Sequence, residues 1–250
     1  MMNQGYNPFS LSHKKILITG ASSGIGQACA IECSRMGAQV VITGRSETKL
    51  ADTYMQLSGN GHLSIIADLL SDLSIKQLVE KLPVLDGVVL CSGISKIRPI
   101  VSCSRDLFYE TFNSNLFSPV ELLRSIVRNK KIEHSSSIVF IGSIGGTNSW
   151  YHSFGIYNST KAALQSIMHN FAVELALQQI RVNIINPGLV RTPMASFLSE
   201  DLVNQMMKQS LLNRIGMPID IARSAVFLLS DASSWITGQS LVVDGGITAY

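Results

Sequence analysis

Short, strongly apolar runs alternate along this chain with longer segments whose apolar residues recur every three or four positions. Runs at 15–19, 39–43, 62–67, 86–91, 137–141, 181–185 and 240–243 are too short for helices and read as strands. Between them, helical spacing starts at Ile25 and continues through Ala28, Cys29 and 31–36. It returns from Ser46, a capping residue, to about 57, at 71–82 and at 157–178, and again at 219–229. The stretch 105–131 has helical periodicity with an interruption, as expected of a broken pair of helices. Strand followed by helix, six times over, requires crossover connections, so neighbouring strands run parallel in a doubly wound sheet of about seven strands. The sequence contains no internal repeat or linker, and a single domain over 15–250 is expected. Ligands of such sheets sit at the carboxyl ends of the strands.

One segment breaks the rhythm. Between 193 and 217, Met194, Phe197, Leu198, Leu202, Met206, Met207, Leu211 and Leu212 stand on an otherwise polar background. Pattern alone favours a small helical pair packed on the core. Its place in the chain favours a substrate lid, for a reason given below.

Composition narrows the class. Hydrophobic residues make up 46% of the 250 positions and mean hydropathy is +0.26, as a sheet buried on both faces would give. No run approaches the roughly 18 apolar residues of a membrane span. Residues 1–14 lack the charged start and apolar core of a secretory signal and read as a short extension, which points to the cytoplasm. A net charge of +3 with interspersed signs is too little for a nucleic-acid surface. The one dense basic run, 128–131, is most simply the solvated end of a helix. Cys29, Cys33, Cys91 and Cys103 form no ligand spacing with one another or with a histidine, so no metal is expected.

The chemistry begins at the first turn. Glycines 20, 24 and 26 follow strand 15–19 and open a helix. They permit unusual backbone angles and close contact between helix and strand, and the free N–H groups of the helix's first turn can face a phosphate. A Gly-rich turn in a chain with 19 glycines is equally compatible with a plain turn. Further on, Tyr157 has a lysine, Lys161, four residues later on the same helix face, just after a strand that delivers Ser143 to the same edge. A nearby ammonium favours a phenolate, so Tyr157 could exchange the proton that accompanies hydride transfer to a carbonyl, with Ser143 hydrogen-bonding the carbonyl oxygen.

Together these residues carry a resemblance. Thr19-Gly20-x-x-x-Gly24-x-Gly26, Asn115 within 112–116, Ser143 ahead of Tyr157-x-x-x-Lys161, Pro187-Gly188 with Thr192, and the stretch 235–246 resemble the motifs of the short-chain dehydrogenase/reductase family in order and spacing, over nearly the whole chain. The resemblance implies a single Rossmann domain and a nicotinamide dinucleotide held by Gly20, Ser22, Ser23, Gly24, Ile25, Gly26, Arg45, Ser46, Asp68, Leu69, Gly93, Tyr157, Lys161, Pro187, Gly188, Val190 and Thr192. It implies that Asp68 contacts the adenine, that Lys161 also holds the nicotinamide ribose, that Asn115 supports a proton relay, and that the assembly is a homotetramer. One motif departs: where the family commonly has Asn-Asn-Ala-Gly, this chain has Leu90-Cys91-Ser92-Gly93, losing an amide that steadies the central strand.

The end of the second strand argues for NADP(H) over NAD(H). An acid there would hold a ribose 2′-hydroxyl and repel a 2′-phosphate, but this chain has Gly44-Arg45-Ser46. The nearest resemblance is to 3-oxoacyl-[acyl-carrier-protein] reductases, with Arg128, Lys130 and Lys131 as candidates to meet an acidic carrier, although Gln178-Gln179 replaces a second basic position. Two other readings are a hydroxysteroid or sugar alcohol dehydrogenase, with the Met-rich 194–212 as an adaptable apolar wall, and a non-catalytic dinucleotide-binding regulator. An intact Ser143, Tyr157 and Lys161 argues against the regulator. Ser95, Trp150, Phe154 and Met194 are candidates to shape the substrate pocket. Since the resemblance sets Pro187, Gly188 and Thr192 beside the nicotinamide, the segment 193–217 begins where substrate must lie, hence its reading as a lid.

Overall fold

The computed structural model describes residues 6–149, 151–196 and 198–249. Trp150 and Phe197, named above for the pocket and the lid, and residues 1–5 of the extension lie outside the described residues. Seven strands form one parallel sheet: β1 (Lys15–Thr19), β2 (Gln39–Gly44), β3 (Leu63–Ile66), β4 (Leu85–Leu90), β5 (Ile132–Ile141), β6 (Arg181–Pro187) and β7 (Ser240–Val243). Their order is β3-β2-β1-β4-β5-β6-β7. The order reverses between β1 and β4, where a doubly wound sheet leaves a crevice for a ligand.

Alternation along each strand supplies two cores. Leu17, Val88, Phe140 and Ile184 point to one face, where they are covered by α3 (Asp72–Lys81), α5 (Ser118–Arg128) and α6 (Gly155–Glu174) through Leu78, Leu122 and Leu164. Ile16, Ile18, Val89 and Val139 point to the other, covered by α1 (Gly24–Arg35), α2 (Glu47–Tyr54) and α8 (Pro218–Leu229) through Cys29, Cys33, Leu50, Ala222 and Leu229. Because both faces are covered, the inner strands read as continuous apolar runs. Among the described residues the remaining α-helices are α4 (Arg105–Phe112) and α7 (Glu200–Gln209).

Three departures from the sequence pattern have physical causes. The fifth strand begins at Ile132 rather than 137, because a register shift opposite Leu85 and Gly87 takes up a polar Glu-His-Ser stretch that hides its start. The interruption in 105–131 is a π-helical turn, Asn113–Phe117, joining α4 directly to α5. Among its described residues the segment 193–217 holds one α-helix, α7, preceded by a 3₁₀ turn at Pro193–Ala195, where the pattern had called for a helical pair.

The described part of the extension is docked. Leu11 is fully buried and its N–H donates to the Met36 carbonyl at 2.9 Å. The Pro8 carbonyl accepts from Ala232 N–H at 2.9 Å, and Lys14 pairs with Asp231 at 2.7 Å.

Candidate active site

The turn after β1 is shaped by what has no room for a side chain. A Cβ on Gly26 would run into the Gly20 carbonyl oxygen, and Gly20 itself has φ +64° with Ser92 backbone 3.1 Å from where its Cβ would be. Glycine is needed at both positions, at 26 for contact and at 20 for backbone angle as well. Thr19, fully buried, stitches the turn to the loop after β4. Its Oγ1 accepts from the N–H groups of Cys91 (2.9 Å) and Ser92 (3.1 Å) and donates to Ser92 Oγ at 3.3 Å. A hydroxyl on β1 thus supplies a tie across the central strands where the Asn-Asn-Ala-Gly amide is missing.

A cleft of about 600 Å³ opens over the carboxyl ends of the strands. At one end it is lined by Gly20, Ser22, Ser23, Gly24, Ile25 and Gly26, with Arg45 after β2 and Asp68 and Leu69 after β3. The first turn of α1 contains no acidic residue, so its backbone N–H groups present an uncompensated positive end. Gly93, Ser143, Tyr157, Lys161, Pro187, Gly188, Val190 and Thr192 line the remainder. Ser46 does not line it. Its side chain is occupied as the N-cap of α2, accepting from Lys49 N–H at 3.4 Å.

β5 ends at Ile141, and the next residues are fixed from β6: Ser143 N–H donates to Asn186 Oδ1 (3.2 Å), while Ser143 Oγ accepts from Gly145 N–H at 3.0 Å. The Ser143 hydroxyl is thereby aimed at Tyr157 in the first turn of α6. Lys161 lies one turn further on, with Nζ 5.7 Å from the Tyr157 ring centroid and donating to the Ile141 carbonyl at 2.9 Å.

Burial pushes the Tyr157 phenol up to about 12, opposed by the hydrogen bond from Ser143, and brings the Lys161 ammonium down to about 8. Desolvation outweighs the field and moves both groups toward their uncharged forms.

Asn115 is fully buried behind the cleft, in the π turn. Its Oδ1 accepts from Ile94 N–H at 2.7 Å, and its Nδ2 donates to the Ile94 carbonyl (2.9 Å) and to Thr160 Oγ1 (3.1 Å). The side chain clamps the loop carrying Gly93 to α6. Two further residues line the cleft that were not named for the site, one of them within the departing Leu90–Gly93 motif. Cys91 lines the cleft beside Lys161, its thiol pushed up to about 12 by burial. Tyr151 lines the outer wall and donates its hydroxyl to Gln209 Oε1 of α7 at 3.0 Å. Ser95, Phe154 and Met194 line the cleft as the sequence pattern anticipated.

The basic run lies elsewhere. Residues 128–131 join the end of α5 to the start of β5, at the amino edge of the sheet, and Lys131 Nζ donates to the Leu82 carbonyl at 2.6 Å. A ten-residue strand, roughly 30 Å long, separates it from Ser143 within one chain. Arg128, Lys130 and Lys131 are thus not beside the site of their own subunit.

Known proteins align with this arrangement. The family model described as enoyl-(acyl carrier protein) reductase matches residues 20–248. The 3-oxoacyl-[acyl-carrier-protein] reductase FabG of Chlamydia pneumoniae is 33% identical over 252 residues, covering 96% of this chain and 98% of the relative. That of Pseudomonas aeruginosa is 32% identical, covering 95% and 98%. A solved structure from Beutenbergia cavernae, described as a candidate NAD(P)-dependent gluconate 5-dehydrogenase with NADP bound at low occupancy, superposes with a TM-score of 0.88 at 29% identity, covering 98% of this chain and all of that one. With its motifs gathered at one sheet edge and matched across nearly its whole length, this chain belongs to the short-chain dehydrogenase/reductase family of dinucleotide-dependent oxidoreductases that act on CH–OH and carbonyl groups.

Proposed function

We propose that the protein reduces a carbonyl to a secondary alcohol with NADP(H). The observation that carries this reading is the Ser143, Tyr157 and Lys161 cluster at the cleft's centre: a phenol held protonated, hydrogen-bonded to a serine, with an ammonium below its ring. Tyr157 retains its proton at neutral pH and can deliver it to a carbonyl oxygen, while Ser143 holds that oxygen and Lys161 stabilises the phenolate left behind.

The cleft fits the dinucleotide. The α1 amino end and the tight Gly20–Gly26 contact form a cradle for a pyrophosphate, and Arg45, exposed after β2 with no acid at that strand's end, suits a 2′-phosphate. When bound, the nicotinamide supplies the hydride. NADP in the Beutenbergia cavernae protein supports the same preference. The FabG relatives support a 3-oxoacyl substrate, although the run 128–131 does not serve a carrier at its own subunit's cleft.

In this reading the segment 193–217 is a lid and the chain works in the cytoplasm, where its four free thiols suit a reducing compartment. It assembles as a homotetramer, with Leu177 and Trp235, 96% and 99% exposed, available to another copy. The test is Tyr157→Phe assayed by NADPH absorbance with a panel of ketones and by NADPH fluorescence titration. Turnover should fall by at least about a hundredfold with cofactor affinity intact. Retention of more than a tenth of wild-type turnover would remove Tyr157 as the acid.

A further inference from the structure

Beyond Tyr157, away from Arg45 and Asp68, the cleft has one wall with Tyr151 and Phe154 and another with Met194, Leu198 and Met206. The first of these walls is aromatic. Tyr151 and Phe154 pack with ring centroids 6.3 Å apart at 63°, and Phe154 and Tyr157 follow at 6.4 Å and 75°. Three rings thus stand edge to face in succession from Tyr151 to Tyr157. Met194, Leu198 and the buried Met206 line the opposite wall, and thioethers and aliphatic chains adapt to apolar bodies of varied shape.

Charge is scarce in this half. Among the described residues, the charged side chains on the cleft apart from Arg45, Asp68 and Lys161 are Lys96 and Glu110, and these two pair with each other at 3.3 Å. A substrate carboxylate or phosphate placed here would share Lys96 with Glu110, and a pair as exposed as this one offers an anion little. An apolar body, in contrast, gains from every methylene it buries between rings and methionines.

Resting on the carbonyl-reductase reading, we infer that Tyr151, Phe154, Met194 and Met206 select an uncharged ketone bearing an apolar body of several carbons, laid along the aromatic row, over small polyhydroxylated keto acids. The selection follows chain length and charge, and Phe154, midway along the row, contributes most of it.

The experiment measures kcat/KM of the full chain with NADPH for 2-butanone, 2-hexanone, 2-octanone and 5-ketogluconate. The value should rise at least about threefold per methylene through the neutral series, mostly through KM, and 5-ketogluconate should fall at least a hundredfold below 2-octanone. Phe154→Ala should flatten the chain-length slope and Phe154→Leu should keep most of it, with NADPH affinity reporting that both variants are folded. A flat slope in the wild-type protein, or a preference for the keto acid, overturns the inference while leaving the reductase reading standing. If no compound turns over, thermal stabilisation of the NADPH-loaded protein by 2-octanol against gluconate decides, while the reductase reading stands or falls on its own Tyr157→Phe test. Stabilisation by the alcohol alone upholds the apolar slot, and equal or no stabilisation overturns it.

Discussion

Thr19→Val isolates the tie between β1 and the loop after β4. Valine keeps the β-branched shape and strand preference at this fully buried site, so no cavity opens, and a slightly larger methyl group takes the place of the hydroxyl. What disappears is the hydroxyl, and with it the acceptor for Cys91 N–H at 2.9 Å and Ser92 N–H at 3.1 Å and the donor to Ser92 Oγ. A buried backbone N–H left unpaired costs about 1–3 kcal/mol. Cys91 and Ser92 are only partly buried, so the lower half of that range applies to each, giving a loss of about 2–4 kcal/mol out of a total stability of about 5–15. For a chain of this size that corresponds to roughly 5–15 °C in Tm.

Urea unfolding followed by far-UV circular dichroism measures the loss, with an unchanged denaturant slope showing that the unfolded reference is the same. Thr19→Ser is the control: it keeps the oxygen and loses one methyl, for about 1 kcal/mol. The Val variant should also bind NADPH more weakly, since the released loop carries Gly93 into the cleft. If Thr19→Val proves no more damaging than Thr19→Ser, the hydroxyl is not what holds β1 to the loop after β4.

Arg45→Asp should shift preference from NADPH toward NADH by repelling the 2′-phosphate, measured as the ratio of kcat/KM for the two cofactors; an unchanged ratio would assign the phosphate to another residue. The lid reading predicts that α7 exchanges amide hydrogens faster than β6 in the free protein and slows when NADPH and a product alcohol bind. Both ends of the segment are pinned, by Arg191 N–H to the Gly216 carbonyl (2.9 Å) and by Ser210 Oγ to the Gly245 carbonyl (3.1 Å), while Tyr151 to Gln209 is an exposed tie. Protection of α7 equal to that of β6 in the free protein would make the segment a fixed part of the core. Asp220 accepts from Met217 N–H and pairs with Arg214, which holds its carboxyl below the ordinary range. A depressed carboxyl contributes stability that is present above its unfolded pKa, near 3.9, and lost as pH falls through its lower folded value. The Tm gap between wild type and Asp220→Asn should therefore be open at pH 7 and narrow below about pH 4, and a pH-independent gap would refute the linkage.

Strand positions were legible because a parallel sheet covered on both faces leaves apolar runs with little else in them. Where a strand begins in polar residues, as β5 does at Ile132, the run is hidden and only three-dimensional pairing exposes it. Docking of the extension rests on Leu11 and a few backbone hydrogen bonds, which leave no periodic trace. The motifs named the residues at the site but not their orientation. Asn115 turned out to clamp Ile94 and Thr160 with its side chain, and Ser46 to cap a helix. The basic run 128–131 looked available until the parallel topology put it at the far edge, because a crossover helix that starts above the cleft must end below it.

The Tyr157 and Lys161 pair shows the limit most clearly, since spacing fixes which groups meet but not which electrostatic effect wins. Four residues of helix bring an ammonium to the underside of a phenol, and that much was readable from 157 and 161 alone. Desolvation depends on everything packed around the pair, and it moves the phenol to about 12 and the ammonium to about 8. Two units above an ordinary tyrosine amount to roughly 3 kcal/mol set against the phenolate before anything binds. A site that released its proton readily in the free protein would be poised as a base. This one is poised as an acid that gives up its proton only to an oxygen gaining negative charge beside it. Release of that proton therefore requires positive charge brought in by what binds.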